Sequence, residues 1–330
     1  MGNCHKDNEP ITIRVNEEDI SLDKPITNPK ELNNKSKTKC PTIGLGTALI
    51  KNEKDSNIVY QSIKDGVRLI DVMPYNEEIV GIAIENALKN GIVNREDLFI
   101  VTKLEIKDKE NPEKALRESL KRLKLEYVDL YLESWPTCKN YNEPKKYKLI
   151  PVRDTWKEME KLVDLGLTRT IGVCKYNIEN LLNIISICRI KPVVNEVEFN
   201  PYLNQKDLKE FCDLEGIKIF AYNPLVKGEY CDRNILAEKN LDLFRENTIY
   251  YLNNQKKYQH LTKGQIILNW HMSLGVIPIP GTSKVNRMKE NLKATTFTLS
   301  KRNIDLIGSY EDKKYRSIDG RNIFGINIFA

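Results

Sequence analysis

The sequence predicts a closed (β/α)8 barrel, a single domain of the α/β class with a short N-terminal extension. Three observations lead there. Eight short apolar or β-branched runs follow one another between residues 43 and 282, each parted from the next by a segment of mostly helical period. Strands that alternate with helices make parallel sheets with helical crossovers, and eight such units over this span suit a barrel of ~250 residues. The G-x-G-x-x-G turn that a doubly wound sheet would carry after its first strand is missing, because Gly44-Leu45-Gly46-Thr47 runs straight into Ala48.

The elements follow in order. Residues 1–31 are polar and broken by prolines, and we read them as the extension, with one alternating stretch, 11–15, as a short strand. Residues 32–330 are read as the barrel with a C-terminal substrate loop. The strand runs are 43–47, 68–72, 98–104, 128–134, 170–174, 193–199, 218–223 and 276–280. Residues 55–65 read as a helix with Ile58, Val59, Ser62 and Ile63 on one face. The helix over 112–123 opens on Pro112, a residue suited to a first turn, and turns Ala115, Leu116, Leu120 and Leu123 inward. A helix over 154–165 does the same with Trp156, Met159, Leu162 and Val163. Gly66, Gly91, Gly166, Gly216 and Gly275 fall where helices need a left-handed C-cap.

Composition narrows the function classes. Hydrophobic residues make up 40% and charged residues 30%, ordinary for a chain with a large core. Lys and Arg number 52 against 46 Asp and Glu, a net charge of +6 with no basic block, which argues against a nucleic-acid partner. The most apolar segment, 181–190, is interrupted by Asn183, Ser186 and Arg189, so no transmembrane segment is expected. Seven scattered cysteines without a C-x-x-C and only three histidines exclude a His-rich metal centre and suit a reducing compartment. The N-terminus lacks an apolar signal region, so a cytoplasmic location is expected.

Barrel chemistry lies at the carboxyl ends of the strands. Those ends carry Thr47, Asp71 with Tyr75 just beyond, Lys103, Ser134, Cys174-Lys175, Glu196, Tyr222-Asn223 and Gly281-Thr282. An Asp, a Lys and a Tyr converging there can do proton chemistry. A phenol of pKa ~10 is a poor acid or base near neutrality until an adjacent ammonium lowers it. The plainer reading of each charge is a structural ion pair or a solvated loop residue. After strand 8, Thr282 precedes a helix over 285–292, with Lys284 and Arg287 adding positive charge. That is an anion site or simply a helix cap.

These residues and their surroundings resemble the aldo-keto reductases from about residue 29 to the end. The stretches that carry the resemblance include Gly44-Leu45-Gly46-Thr47, Ile70-Asp71-Val72, Asn76-Glu77-Glu78-Ile79-Val80-Gly81 and Arg95-Glu96-Asp97-Leu98-Phe99-Ile100-Val101-Thr102-Lys103-Leu104. Further on come Val197-Glu198-Phe199-Asn200-Pro201-Tyr202-Leu203, Ala221-Tyr222-Asn223-Pro224-Leu225 and Ile279-Pro280-Gly281-Thr282. The resemblance implies NADP(H) as cofactor and hydride transfer to an aldehyde or ketone. It casts Tyr75 as proton donor, Lys103 as its tuner, Asp71 as the lysine's partner and Ser134 as a weak carbonyl donor. For the cofactor it implies contacts from Gly46, Thr47, Asp71, Cys174, Lys175, Glu196, Tyr222, Asn223, Leu225, Thr282, Arg287, Glu290 and Asn291.

The departures from the family pattern matter as much. The spacing from Asp71 to Tyr75 is one residue short, and Ser134 stands where the family has a histidine. Losing one such donor typically costs ~10²–10³ in rate. Lys175 and Glu196 replace a neutral pair that grips the nicotinamide carboxamide, and their opposite charges predict an ion pair across neighbouring strands. Two functions therefore stand: an NADP(H)-dependent reductase of small carbonyl compounds, and an NADP(H)-binding redox-sensing or interaction module with little turnover. Substrate choice is expected from loops 136–151 and 226–247 and from the tail, where Tyr310, Tyr315, Phe324 and Phe329 are candidate pocket walls or plain packing residues. At the N-terminus, Gly2 and Cys4 read either as a dual-acylation start that would anchor the barrel to a membrane or as part of a polar tail.

Overall fold

The computed structural model describes residues 20–21, 39–137, 150–227, 231, 233–318 and 324. Eight parallel strands, Gly44–Gly46, Leu69–Asp71, Phe99–Leu104, Val128–Ser134, Thr168–Cys174, Val194–Glu198, Lys218–Tyr222 and Ile277–Ile279, pair in sequence order. They coincide with the eight expected runs. The sheet closes where Gly46 bridges Gly281 and the Gly46 amide donates to the Pro280 carbonyl at 3.1 Å. A Cβ on Gly46 would sit 2.9 Å from the Ile279 carbonyl oxygen, so the seam needs a residue without one. Ile20–Ser21, inside the segment read as an extension, pairs antiparallel with Lys39–Cys40. The proposed strand over 11–15, Gly2 and Cys4 lie outside the described residues.

The helices have the expected faces. Ser56–Lys64 buries Ile58, Val59, Ser62 and Ile63. Pro112–Leu123 buries Leu116, Leu120 and Leu123 and leaves Ala115 only partly covered. Val152–Asp164 begins two residues earlier than expected and buries Trp156, Met159 and Leu162, with Val163 at the edge. The five glycines expected as C-caps all have positive φ.

Strand periodicity sorts the core into two layers. Outward residues such as Ile70, Ile100, Tyr131, Ile171, Val197 and Ile219 pack under the helices. Inward residues Leu69, Phe99, Val101, Leu130, Leu132, Val194, Phe220 and Ile277 fill the barrel together with Cys40. Two positions further along the same inward faces come Asp71, Lys103, Ser134, Glu196 and Tyr222. The alternation that fills the barrel thus delivers the polar residues to its carboxyl end. Among the described residues no helix is long and apolar enough to cross a membrane.

Candidate active site

A cavity of about 450 Å³ opens at that end. Its floor holds Asp71, Lys103 and Glu196; Trp135, Lys175, Tyr222 and Asn223 line it, as do Gly46, Leu225 and Gly281 at the barrel seam. Most of the remaining lining is apolar, including Ala48, Leu49, Met73, Pro224 and Ile279.

Lys103 is 4% exposed, Asp71 5% and Glu196 3%. The Lys103 ammonium donates to the Asp71 carboxylate and lies 3.3 Å from Glu196 Oε2. Burial opposes the ammonium's charge, but the two carboxylates outweigh it and hold Lys103 above its ordinary pKa. With one cation between two carboxylates, the cluster carries a surplus negative charge. Burial, and then the charge of Glu196, push Asp71 up to about 7 against the pull of Lys103. Glu196 Oε2 accepts no hydrogen bond among the described residues, although the residue lines the cavity.

This geometry corrects the expected Lys175–Glu196 ion pair. Glu196 turns to Lys103, and no carboxylate among the described residues lies within ion-pair distance of Lys175. Lys175 Nζ instead donates to Cys174 Sγ at 3.1 Å and sits over two rings, 4.7 Å from the Trp135 centroid and 5.0 Å from that of Tyr222. Glu196 points into the barrel, where Lys103 meets it at 3.3 Å, whereas Lys175 lies past its strand end at φ +68 with its ammonium on Cys174 and the two rings. Trp135 at φ +66 and Asn223 at φ +51 leave theirs the same way. Three strand ends with left-handed backbone thus surround one cavity.

Tyr75 departs further from expectation. Its side chain is 54% exposed and its hydroxyl donates to the Ala48 carbonyl at 2.7 Å. It does not line the cavity and is not a partner of Lys103. The short loop explains this. Pro74–Asn76 forms a 3-10 turn pinned by Asn76, whose Nδ2 donates to the Thr47 and Ile50 carbonyls at 2.7 and 3.1 Å. The turn presents Tyr75 to the outside of the rim.

The other expected residues divide. Ser134 is 9% exposed at its strand end but lies outside the cavity lining. Thr47 is buried and donates to the Asp71 carbonyl at 2.9 Å. The Cys174 thiol is buried inside the barrel, and burial pushes it up to about 12. Thr282 Oγ1 accepts from the Lys284 amide at 3.0 Å, just before the helix Val285–Leu292. Arg287 is exposed on that helix, and no acidic group among the described residues pairs with it. Asn291 is buried on the same helix and contacts Met288 Sδ; the Glu290 carbonyl accepts from Gln265.

Sequence reasoning missed two supports. Lys109 and Glu133, both buried, pair at 2.8 Å, and Lys109 also donates to the Trp135 carbonyl. Glu198 clasps the tail: it accepts from the Ser317 amide at 3.0 Å and the Ser317 hydroxyl at 2.6 Å. The tail wall is accordingly Ser317 and Ile318. Tyr315 is buried in the core, Phe324 packs edge-on to Trp135 at 4.9 Å, and Tyr310 packs on Tyr202. Phe329 and residues 138–149 lie outside the described residues.

A barrel with a buried lysine between acids at the carboxyl end of its strands has the form of a barrel enzyme. The aldo/keto reductase family profile matches residues 42–312, and the chain belongs to that family. Aldose reductase B of Dictyostelium discoideum is 34% identical over 308 residues, covering 88% of this chain and 94% of that protein. Glyoxal reductase of Bacillus subtilis is 35% identical over 275 residues, 81% of this chain and 87% of that protein. The crystal structure of a Bombyx mori aldo-keto reductase in complex with NADP superposes with a TM-score of 0.77 at 33% identity, covering 86% of this chain and 93% of that one. The chain is thus a TIM-barrel member of an oxidoreductase family.

Proposed function

We propose that this barrel binds NADP(H) across the carboxyl end of its strands and reduces the carbonyl group of a small aldehyde or ketone. The observation that carries the reading is the buried Lys103, held between Asp71 and Glu196 on the floor of a largely apolar cavity.

The residues present fit such a cofactor at two places. Arg287 and Lys284 offer cationic groups with no acidic partner among the described residues, at the start of a helix, where a phosphate is favoured. At the other end the cavity offers the Tyr222 ring and two polar atoms without hydrogen-bond partners among the described residues, Glu196 Oε2 and the Tyr222 hydroxyl. Bound there, NADPH would supply a hydride to the carbonyl carbon. The chain's own residues do the rest. The apolar lining excludes water, and the fixed Lys103 ammonium stabilises charge that develops on the carbonyl oxygen, more strongly at low dielectric than in water.

The second reading, a cofactor-binding module with little turnover, draws support from Tyr75, whose phenol is spent on Ala48. Lys175 adds to it by holding its ammonium over the Tyr222 ring. One experiment separates the two. Purified protein should quench and shift nicotinamide fluorescence on titration and should consume NADPH steadily with generic aldehydes. Binding without consumption would favour the module; no binding at all would remove both readings.

A further inference from the structure

Resting on the proposed reaction, we infer that the Asp71–Glu196 carboxyl pair around Lys103 holds one shared proton and that Glu196 delivers it to the carbonyl oxygen, taking the place of a tyrosine.

Geometry carries the argument. The reaction adds a hydride to carbon and needs a proton on oxygen. The phenol beside the site is outside the cavity and committed to the Ala48 carbonyl at 2.7 Å. Ser134 does not line the cavity either. What lines its floor is a cation and two acids. Glu196 is 3% exposed, yet its Oε2 has no hydrogen-bond donor among the described residues. Its cation partner, the Lys103 ammonium at 3.3 Å, is already bonded to Asp71, so two buried acids compete for one cation and a proton shared between them relieves the excess charge.

Charge balance points the same way. The groups facing Glu196 are Lys103 at 3.3 Å, Asp71 across that ammonium, the Cys174 thiol at 3.8 Å, Lys175 on the adjoining strand end and the Tyr222 phenol on the strand at its other side. Cys174 stays neutral because burial raises its thiol, and Tyr222 stays neutral because burial raises its phenol. Lys175 directs its ammonium to the rings and to Cys174. Two buried carboxylates therefore divide one ammonium. Like charges so placed hold a proton between them, and the proton belongs to the pair rather than to either residue. Burial and the Glu196 charge push Asp71 up to about 7, near the pH at which a general acid works best.

Hydride transfer would break a C4–H bond of the reduced nicotinamide, leaving it oxidised, and form the new C–H bond, while the carbonyl π pair becomes the negative charge on oxygen. The O–H bond of Glu196 breaks and a new O–H bond forms on that oxygen. The carboxylate left behind remains beside Lys103 and regains its proton from water through the cavity mouth. No other oxidant or reductant is required.

Two measurements test this. Infrared difference spectroscopy of the whole protein at neutral pH should show the C=O stretch of a protonated carboxyl, shifted in D2O. The band should be lost in both Glu196→Gln and Asp71→Asn. A band that survives in Glu196→Gln overturns the shared proton, and this reading needs no turnover. In aldehyde reduction, Glu196→Gln should lower kcat by ~10²–10⁴, the value of a positioned acid. The wild-type kcat/KM should fall above pH about 7, where Asp71 gives up its proton. A profile flat to pH ~9, together with loss of activity in Tyr75→Phe, would return the role to the phenol. A band that behaves as expected in a protein without turnover would contradict the proposed reaction and the delivery step with it.

Discussion

Glu196 Oε2 stands 3.3 Å from Lys103 Nζ, so the lysine that Asp71 already holds is bracketed by a second acid. A neutral amide in that position would leave Lys103 and Asp71 as a simple ion pair. The acid adds a buried charge that the cluster must answer by taking up a proton.

Stability should therefore depend on pH in a definite direction. Asp71 ionises at about 7 in the folded chain, against ~3.9 unfolded. Between those values the folded state binds the extra proton, so this contribution is present at low pH and is lost as pH rises through 7. Urea unfolding at pH ~5.5 and ~7.5 should show the wild type losing about 2 kcal/mol from this source, and Glu196→Gln losing less, because the variant removes the Glu196 charge but not the burial that is the larger cause. Equal changes in the two proteins would contradict the part given to Glu196.

The Lys109–Glu133 pair supports Trp135 from beneath. Both side chains are buried, and Lys109 also donates to the Trp135 carbonyl. Lys109→Met leaves Glu133 buried without its cation partner, a loss of ~3–5 kcal/mol. The double variant Lys109→Met with Glu133→Leu should recover much of it. Denaturation midpoints of the three proteins check this; a single variant within 1 kcal/mol of wild type, on the ~1 kcal/mol scale of ordinary substitutions, would show that the pair is dispensable.

Arg287 is exposed near the start of the helix Val285–Leu292 and has no acidic partner among the described residues. If it meets the 2′-phosphate, Arg287→Ala should weaken NADPH by about tenfold and leave NADH unchanged, a difference near 1.4 kcal/mol. Nicotinamide fluorescence titration reads both constants. Equal losses for the two cofactors would assign Arg287 a general electrostatic role instead.

The barrel was legible because its signals are periodic. The eight apolar runs alternate with amphipathic helices, and inward parity carries Asp71, Lys103, Glu196 and Tyr222 to one face. Partnerships were not legible, because they depend on conformations that no periodicity encodes. Charge alone pairs Glu196 equally well with Lys175 or Lys103, and the choice lies in which ammonium reaches it inside the barrel, that of Lys103 at 3.3 Å. The direction of Tyr75 is decided by a 3-10 turn that Asn76 pins to the Thr47 and Ile50 carbonyls. A spacing one residue short warned of this without giving its sense. The Glu198 clasp on Ser317 joins residues 119 positions apart and left no local trace.

The proposed reaction is tested most directly by following the transferred hydride. NADPH carrying deuterium at both C4 positions, incubated with the protein and an aldehyde, should yield an alcohol one mass unit heavier than the product from unlabelled cofactor, as determined by mass spectrometry. Lys103→Met, which removes the ammonium from between Asp71 and Glu196, should form little or none. Deuterium in the wild-type product and its loss in the variant is the predicted result. An aldehyde recovered unchanged and unlabelled, while NADPH binds tightly, would contradict the account and leave the cofactor-binding module as the reading of this barrel.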